Sequence, residues 1–216
     1  MAILTLDNIC FSYDKVPVLQ NLSYTFAAGK IYCIVGKSGA GKTTLLSVLS
    51  GLAAPTSGSI YYEDTDIKDM DRYRFRSTLI GVIFQSFNLI TKFTALENVM
   101  LSMDIASVKG VNKKEKALAL LRSVGLDEEE SNRRVLQLSG GQQQRVAIAR
   151  ALAYDAKIIL ADEPTGNLDT ETQAEIMAIF RQLAADGRCV ILVSHSPEVA
   201  KSCDECYELK KISRKK

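Results

Sequence analysis

The sequence predicts an α/β protein: a mainly parallel sheet flanked by helices, an antiparallel β part at the N-terminus, and an inserted helical segment near residues 86–150. Three observations carry that prediction. Short apolar runs recur at Ile31-Tyr32-Cys33-Ile34-Val35, Ile80-Gly81-Val82-Ile83-Phe84, Lys157-Ile158-Ile159-Leu160-Ala161 and Arg188-Cys189-Val190-Ile191-Leu192-Val193, and strands buried on both faces read this way. Residues 3–32 instead alternate brief apolar runs with turn residues. Residues 86–135 carry helical spacing.

Composition sets the bounds. A chain of 216 residues that is 47% hydrophobic is expected to form one domain with an ample core. A net charge of +2 gives no whole-chain signal for nucleic acid. No apolar run reaches the length of a membrane span, and Met1-Ala2-Ile3-Leu4-Thr5 lacks the charged start and cleavage site of a signal peptide. The chain is expected in the cytosol, with any work at a membrane done through partners. Cys10, Cys33 and Cys189 sit in apolar, strand-like stretches and are expected as buried thiols. Cys203 and Cys206 form a C-x-x-C without the two further ligands zinc needs, since the only histidine is engaged elsewhere. The sequence alone assigns that pair neither a metal nor a redox role.

In chain order, Ile3–Leu6, Leu22–Phe26 and Ile31–Val35 read as strands, with Ala28-Gly29-Lys30 a tight turn between the last two. Gly36-Lys37-Ser38-Gly39-Ala40-Gly41-Lys42-Thr43 then matches G-x-x-x-x-G-K-[ST] at every fixed position. Thr44-Leu45-Leu46-Ser47-Val48-Leu49 begins a helix, so the loop has the strand–loop–helix context the pattern requires. Glycines let backbone N–H groups curl around phosphate oxygens, and the helix dipole points its positive end at the same place. Lys42 can bridge the β- and γ-phosphates of a nucleoside triphosphate, and the Thr43 hydroxyl can ligate Mg²⁺. A glycine-rich turn that only caps a helix is the plain alternative, disfavoured by the complete pattern in its proper context.

Gly51–Gly58 reads as a loop, Ser59–Tyr62 as a strand, and Met70–Arg76 as a short helix within an irregular charged stretch. Helical patterns follow at Leu96–Met103 and Lys113–Val124, the latter with Ala117, Leu118, Leu120, Leu121 and Val124 on one broad face; Gly125 ends it. Asp127-Glu128-Glu129-Glu130 reads as solvated surface. Ser139 is a natural N-cap, and Gly140 and Gly141 leave the first N–H groups of the next helix open to an anion, although an ordinary capped helix starts the same way. The run 158–161 ends in Asp162-Glu163. At a strand's carboxyl end both carboxylates can face one site: Asp162 suits ordering Mg²⁺ and its waters, Glu163 suits activating water. Without the phosphate loop, two solvated acids would be an equal reading. Asp169 or Thr170 can cap a helix over 171–183, and His195 follows the last apolar strand, where the γ-phosphate would lie. Tyr13 offers an aromatic face to an adenine ring, but as one of eight tyrosines its plainer role is packing. The basic end, Lys210 to Lys216, reads as solvated, with contact to acidic lipid headgroups the weaker option.

The order and spacing of these motifs resemble the nucleotide-binding subunit of an ABC transporter over roughly residues 2–200. The phosphate loop Gly36–Thr43, Gln85, the signature Leu138-Ser139-Gly140-Gly141-Gln142, the acidic strand end 158–163, Gly166-Asn167-Leu168-Asp169 and His195 carry the likeness; the signature is the family's own mark. The resemblance implies a P-loop NTPase (RecA-like) core that takes ATP and Mg²⁺. It implies phosphate binding by Gly36, Lys37, Ser38, Gly39, Ala40, Gly41, Lys42, Thr43 and Thr44, adenine stacking on Tyr13, and a metal held through Thr43, Gln85 and Asp162. Lys42, Gln85, Glu163 and His195 would carry catalysis. Ser139, Gly140, Gly141 and Gln142 would meet the γ-phosphate held by a second copy in a head-to-tail dimer, with Asp169 at their interface.

Phe84-Gln85-Ser86-Phe87-Asn88-Leu89-Ile90 and Thr94-Ala95-Leu96-Glu97-Asn98-Val99 look like the branch of lipoprotein-releasing, macrolide-export, antimicrobial-peptide-resistance and cell-division systems. That implies a separate integral-membrane permease, which contacts the cargo, and a place on the inner face of the membrane. The implied output is export or extraction of peptide, lipoprotein or drug; control of an envelope enzyme or sensor without transport, or a soluble ATPase of the same family, are the other options. Ser194-His195-Ser196-Pro197 departs from the relatives' threonine before and aspartate after the histidine, and Cys203 to Lys210 lacks their glycine-containing strand-turn.

Overall fold

Alternating buried and exposed residues form the first two strands, β1 (Ala2–Tyr13) and β2 (Val16–Ala27), in the computed structural model, which describes residues 2–212. They pair antiparallel from Ala2↔Ala27 to Tyr13↔Val16, with register shifts along the way. Each is far longer than the short strands expected, and Cys10-Phe11-Ser12-Tyr13 belongs to β1. Asn8 and Asn21 take φ of 50° and 49° within these strands, backbone that asparagine tolerates better than other side chains. Those breaks in the pattern hide the strands' length in the sequence. Cys10 is half-buried, not buried: its thiol donates to Asn21 Oδ1 at 3.3 Å across the β1–β2 pair, where Asn21 breaks the regular backbone at φ 49°.

Ala28-Gly29-Lys30 does turn the chain, but it joins two sheets and not a hairpin, because β3 (Ile31–Val35) pairs elsewhere. Next come α1 (Lys42–Leu49), β4 (Ser57–Tyr62) and the two-residue β5 (Thr65–Asp66). The first sheet has the order β2-β1-β4-β5 and is antiparallel throughout. One turn of helix, α2 (Arg72–Arg74), widens into a π-type turn over Phe75–Leu79 that buries Phe75, and β6 (Ile80–Ile83) follows.

The helical segment contains α3 (Ala95–Ile105), α4 (Lys113–Ser123), α5 (Glu128–Asn132) and α6 (Gly140–Ala151). On α4 the buried stripe is narrower than expected: Ala117, Leu121 and the capping Val124 are sealed, while Leu118 and Leu120 are half-buried. The acidic stretch 127–130 is structured. Asp127 caps α5, and Glu130 closes the reciprocal cap.

The chain then returns through β7 (Ile158–Asp162), α7 (Thr170–Ala185), β8 (Cys189–Val193), α8 (Pro197–Lys201) and β9 (Glu205–Glu208). The second sheet has the order β6-β7-β8-β3-β9, with every pair parallel. Its two faces fill two cores. Ile31, Cys33, Ile159, Ala161, Val190 and Leu192 face α6, α7 and α8. Tyr32, Ile34, Ile158, Leu160, Ile191 and Val193 face α1 and the antiparallel sheet. Burial on both faces explains why these runs are apolar without alternation. Strand β9 was hidden from the sequence reading because its residues, Glu205-Cys206-Tyr207-Glu208, form a half-exposed edge. Residues 213–216 of the basic end lie outside the described region. No helix among the described residues is long and apolar enough to cross a membrane.

Candidate functional site

The phosphate loop leaves the carboxyl end of β3 and enters α1. Two of its glycines are required by close approach. A Cβ at Gly36 would lie 2.7 Å from the Leu209 carbonyl oxygen, and one at Gly41 would lie 2.8 Å from Val18 Cγ1, with Gly41 at φ 98°. The Ala40 N–H donates to Lys37 O at 3.0 Å and closes the loop, burying Ala40 against the core. Lys37, Ser38 and Gly39 face outward. The N-terminus of α1 has no side-chain cap and no acidic residue in its first turn, so its N–H groups are left for an anion. Lys42 Nζ donates to Gly36 O at 2.9 Å, which lays the ammonium along the loop.

The carboxyl ends of β7 and β8 supply the facing wall. The Thr43 hydroxyl donates to Asp162 Oδ2 at 2.9 Å. Burial pushes the Asp162 carboxyl above its ordinary pKa, helped by the neighbouring Glu163 charge and opposed by the Thr43 hydrogen bond and Lys42. Glu163 sits at φ 46°, its N–H donating to Val193 O at 2.9 Å and its carbonyl accepting from Gly166 at 3.1 Å. That left-handed residue turns its carboxylate out of the strand alternation and onto the same side as Asp162. The His195 N–H donates to Glu163 Oε2 at 3.3 Å, and His195 Nδ1 lies 2.9 Å from Glu163 Oε1. Glu163 is only 11% exposed at its side chain and His195 is 70% exposed. Ser38, Lys42, Thr43, Thr44, Gln85, Asp162, Glu163 and His195 line one cavity of about 540 Å³ with Gly39 and Gly41. Gln85, which follows β6, reaches it from the third strand end.

Of the expected site residues, Gly36, Lys37 and Ala40 of the loop do not line that cavity, and two further groups stand outside it. Tyr13, at the end of β1, is 55% exposed; its ring meets Phe11 edge-on at 4.9 Å, and its hydroxyl lies 3.5 Å from Thr44 Oγ1. It therefore stands beside the first turn of α1. Ser139, Gly140, Gly141 and Gln142 form the start of α6. Ser139 accepts from the Gln142 N–H at 3.2 Å, and the Gln142 side chain accepts from the Ser139 N–H at 2.8 Å. Ser139 and Gly140 are exposed, and none of the four lines the cavity.

A family profile described as ABC transporter matches residues 19–166. The chain belongs to the ABC transporter ATP-binding family. YclH of Bacillus subtilis, an uncharacterized ABC transporter ATP-binding protein, is 42% identical over 207 residues, 94% of this chain and 92% of the relative. The lipoprotein-releasing system ATP-binding protein LolD 2 of Rhodopirellula baltica is 38% identical over 207 residues, 91% of this chain and 81% of its own. The dimeric structure of MJ0796, described as a bacterial ABC transporter cassette, superposes with a TM-score of 0.88 at 38% identity, covering 96% of this chain and 94% of that one. This chain is accordingly an ABC ATPase, with the antiparallel and parallel sheets of that fold.

Several side chains that support the ABC cassette's site were not legible in the sequence. Glu130 accepts from Gln142 Nε2 at 2.6 Å and so ties α5 to the signature helix. A Cβ at Gly141 would lie 2.6 Å from Thr172 Cγ2, so α7 presses on the signature and explains the glycine there. Asp169 caps α7 through the Thr172 N–H, as the sequence led us to expect of it or Thr170, and also accepts from the Thr172 hydroxyl, a bond the sequence did not show. Arg150 of α6 donates to the carbonyls of Phe87 and Asn88, residues at φ 59° and 50°, and thereby holds the loop after Gln85. Burial draws the Arg150 guanidinium below its usual pKa. The acidic run and the arginines were visible as residue types, but their partners are 12 to 63 positions away, a distance that no local pattern spans.

Proposed function

We propose that this cassette is one half of a head-to-tail ATPase dimer that drives a separate membrane permease from the inner face of the membrane. The reading takes residues 1–216 as one ATP-binding cassette with its helical subdomain near 86–150. The observation that carries it is the separation of two anion-ready helix N-termini. The open start of α1 lies in the 540 Å³ cavity with Lys42, Glu163 and His195, whereas Ser139 and Gly140 stand exposed and Gly141 half-buried outside it. A second copy rotated about a twofold axis would bring its exposed signature over the first copy's phosphate loop. The dimeric MJ0796 cassette, similar over 96% of this chain, supports that arrangement.

The cavity suits a triphosphate, being within the size of ordinary ligand sites and lined by glycine N–H groups and Lys42 on one side. Thr43 Oγ1 and Asp162 Oδ2 lie 2.9 Å apart with Gln85 on the same wall, an oxygen set of the kind a hard divalent cation takes. Mg²⁺ held there would neutralise phosphate charge. Tyr13 would stack on the adenine ring. Lys42 and the backbone of Gly36–Thr44 bind the substrate phosphates and fix their direction. Glu163, nearly enclosed and within reach of His195, accepts the proton of the attacking water, and His195 donates a hydrogen bond toward the terminal phosphate. Closure of the dimer would exclude solvent from this centre, and Gln85, on the loop held by Arg150, would pass nucleotide state to the permease. The likeness to LolD 2 supports an exporter or extractor of lipoprotein, peptide or drug.

Complementation tests the shared site. Lys42→Ala and Ser139→Arg should each abolish turnover alone. Mixed together, they should regain it, because one site in the mixed dimer pairs an intact loop with an intact signature. A self-contained site would show no gain on mixing.

A further inference from the structure

Three of the five cysteines converge although Cys33 lies 170 positions before Cys203 and 173 before Cys206. Cys33 lies mid-strand in β3, and Cys206 of β9 is its register partner across the parallel pair. Residues in register project to the same face. For Cys33 that face packs against α7 and α8, whereas Tyr32, Ile34 and Tyr207 pack on the other. Cys203, in the corner between α8 and β9, joins the same core. Cys33 and Cys206 are thus side by side across the strand pair, and Cys203 packs in the core that holds Cys33. Cys203 Sγ donates to Val199 O at 3.2 Å and Cys206 Sγ donates to Ala200 O at 3.8 Å. The sulfurs are therefore grouped under the last turn of α8.

The corner that carries them is pinned. Arg181 donates to Ser202 O at 2.7 Å, the Cys203 N–H donates to Ala200 O at 3.2 Å, and Asp204 exchanges two bonds with the Ile31 backbone, 2.7 and 2.8 Å. The spacing of Cys203 and Cys206 is thus set by a fixed turn. Exposure grades across the three: Cys33 is sealed, Cys203 is half-buried and Cys206 is exposed. Hydrogen bonding from Cys33, with Ser202 and the Arg181 charge, draws the Cys203 thiol below its ordinary pKa against its burial and the Asp204 charge, whereas burial pushes Cys206 up. Among the described residues no group of three or more His, Cys, Asp or Glu side chains is arranged to hold a metal ion.

We propose that Cys203 and Cys206 are a redox-active dithiol that a hydroperoxide closes to a disulfide, with Cys33 packed behind them in the sealed core. The Cys203 thiolate attacks the peroxide oxygen; the O–O bond breaks, a sulfenic acid forms, and the alcohol or water leaves. The Cys206 sulfur then attacks the Cys203 sulfur, the S–O bond breaks, and water leaves with the second proton. The two thiols are oxidised and the hydroperoxide is reduced. Cys33 is not the resolving partner. It is shut off from solvent and sits in a strand hydrogen-bonded on both sides, by β8 and β9, so its backbone cannot follow a new bond. The site lies on the strand that backs the phosphate loop, since Leu209, just past β9, donates to Val35 O at 2.8 Å and sets its carbonyl against Gly36.

Trypsin isolates the question. The full chain is reduced, treated with hydrogen peroxide, blocked with an alkylating agent, digested and weighed. Residues 202–210 fall in one peptide between Lys201 and Lys210, and Cys33 falls in another, 31–37. The expected product is an unalkylated 202–210 peptide lighter by two hydrogens, restored by dithiothreitol, with Cys33 alkylated after unfolding. Cys206→Ser should stop at a Cys203 sulfenic acid that dimedone traps. Cys33→Ala should leave the 202–210 disulfide forming, because Cys33 takes no part in the bond. A 31–37 peptide joined to 202–210, or a 202–210 peptide that stays fully alkylated after peroxide, would overturn the assignment.

Discussion

Glu163→Gln separates chemistry from architecture better than any other single change in this cavity. The amide has the shape of the carboxylate, and the backbone at φ 46° is held by the Val193 and Gly166 hydrogen bonds rather than by the side chain. The amide oxygen can still accept the His195 N–H now found 3.3 Å from Oε2. What disappears is the base and one negative charge. General-base catalysis is worth about 10²–10⁴-fold, or about 2.7–5.4 kcal/mol at about 1.36 kcal/mol per decade. The Glu163 charge also helps to raise the Asp162 pKa, so its loss relieves the ligand-free fold. The expected result is a fall in kcat of about 10²–10⁴-fold, with ATP affinity retained, an ATP-dependent dimer that persists, and an undiminished urea midpoint. Phosphate release at saturating Mg-ATP gives the rate, and size-exclusion chromatography with ATP gives the dimer. A kcat within about tenfold of the parent would refute the assignment of the base, because the loss would then fall below the range of general-base catalysis.

Asp162→Asn should stabilise the ligand-free protein at neutral pH while abolishing turnover. The folded-state pKa of Asp162 is raised above its ordinary 3.8, so its contribution to stability is favourable below that value and is lost as pH rises through the raised one. The stability gap between variant and parent should therefore open as pH climbs from about 4 to 7, read as urea midpoints; a variant less stable than the parent at neutral pH would contradict this. Tyr13→Ala should weaken ATP binding by about 1–3 kcal/mol, the worth of base stacking on an aromatic ring, with kcat nearly unchanged at saturation. Fluorescent-nucleotide titration checks it, and an unaltered Kd would return Tyr13 to a packing role.

How much of the chain could be read in advance depends on the distance over which each feature is specified. The phosphate loop was legible because its glycines, Lys42 and Thr43 are adjacent residues whose chemistry and context occupy about a dozen positions. Strands β3, β6, β7 and β8 were legible because both faces are covered, which forces uninterrupted apolar runs. Strands β1 and β2 were underestimated, since Asn8 and Asn21 break the alternation at left-handed backbone. Strand β9 escaped because its pairing with β3 comes from tertiary contact and not from its own four residues.

By itself the sequence determined the chemistry on offer: a phosphate cradle, a pair of acids at a strand end, a lone histidine, a serine-capped helix that opens on two glycines, and the order in which they come. Those properties belong to residue type and near spacing. Only the tertiary structure decided which of them meet. The strand order β6-β7-β8-β3-β9 brings Gln85, Asp162, Glu163 and His195 to one edge beside Thr43, and the left-handed turn at Glu163 sets two adjacent carboxylates on the same side. The same topology leaves the signature outside that cavity and draws Cys33 to Cys203 and Cys206. Parallel pairing joins residues whose separation along the chain carries no local signal, so the cavity and the thiol cluster are products of folding rather than of spacing.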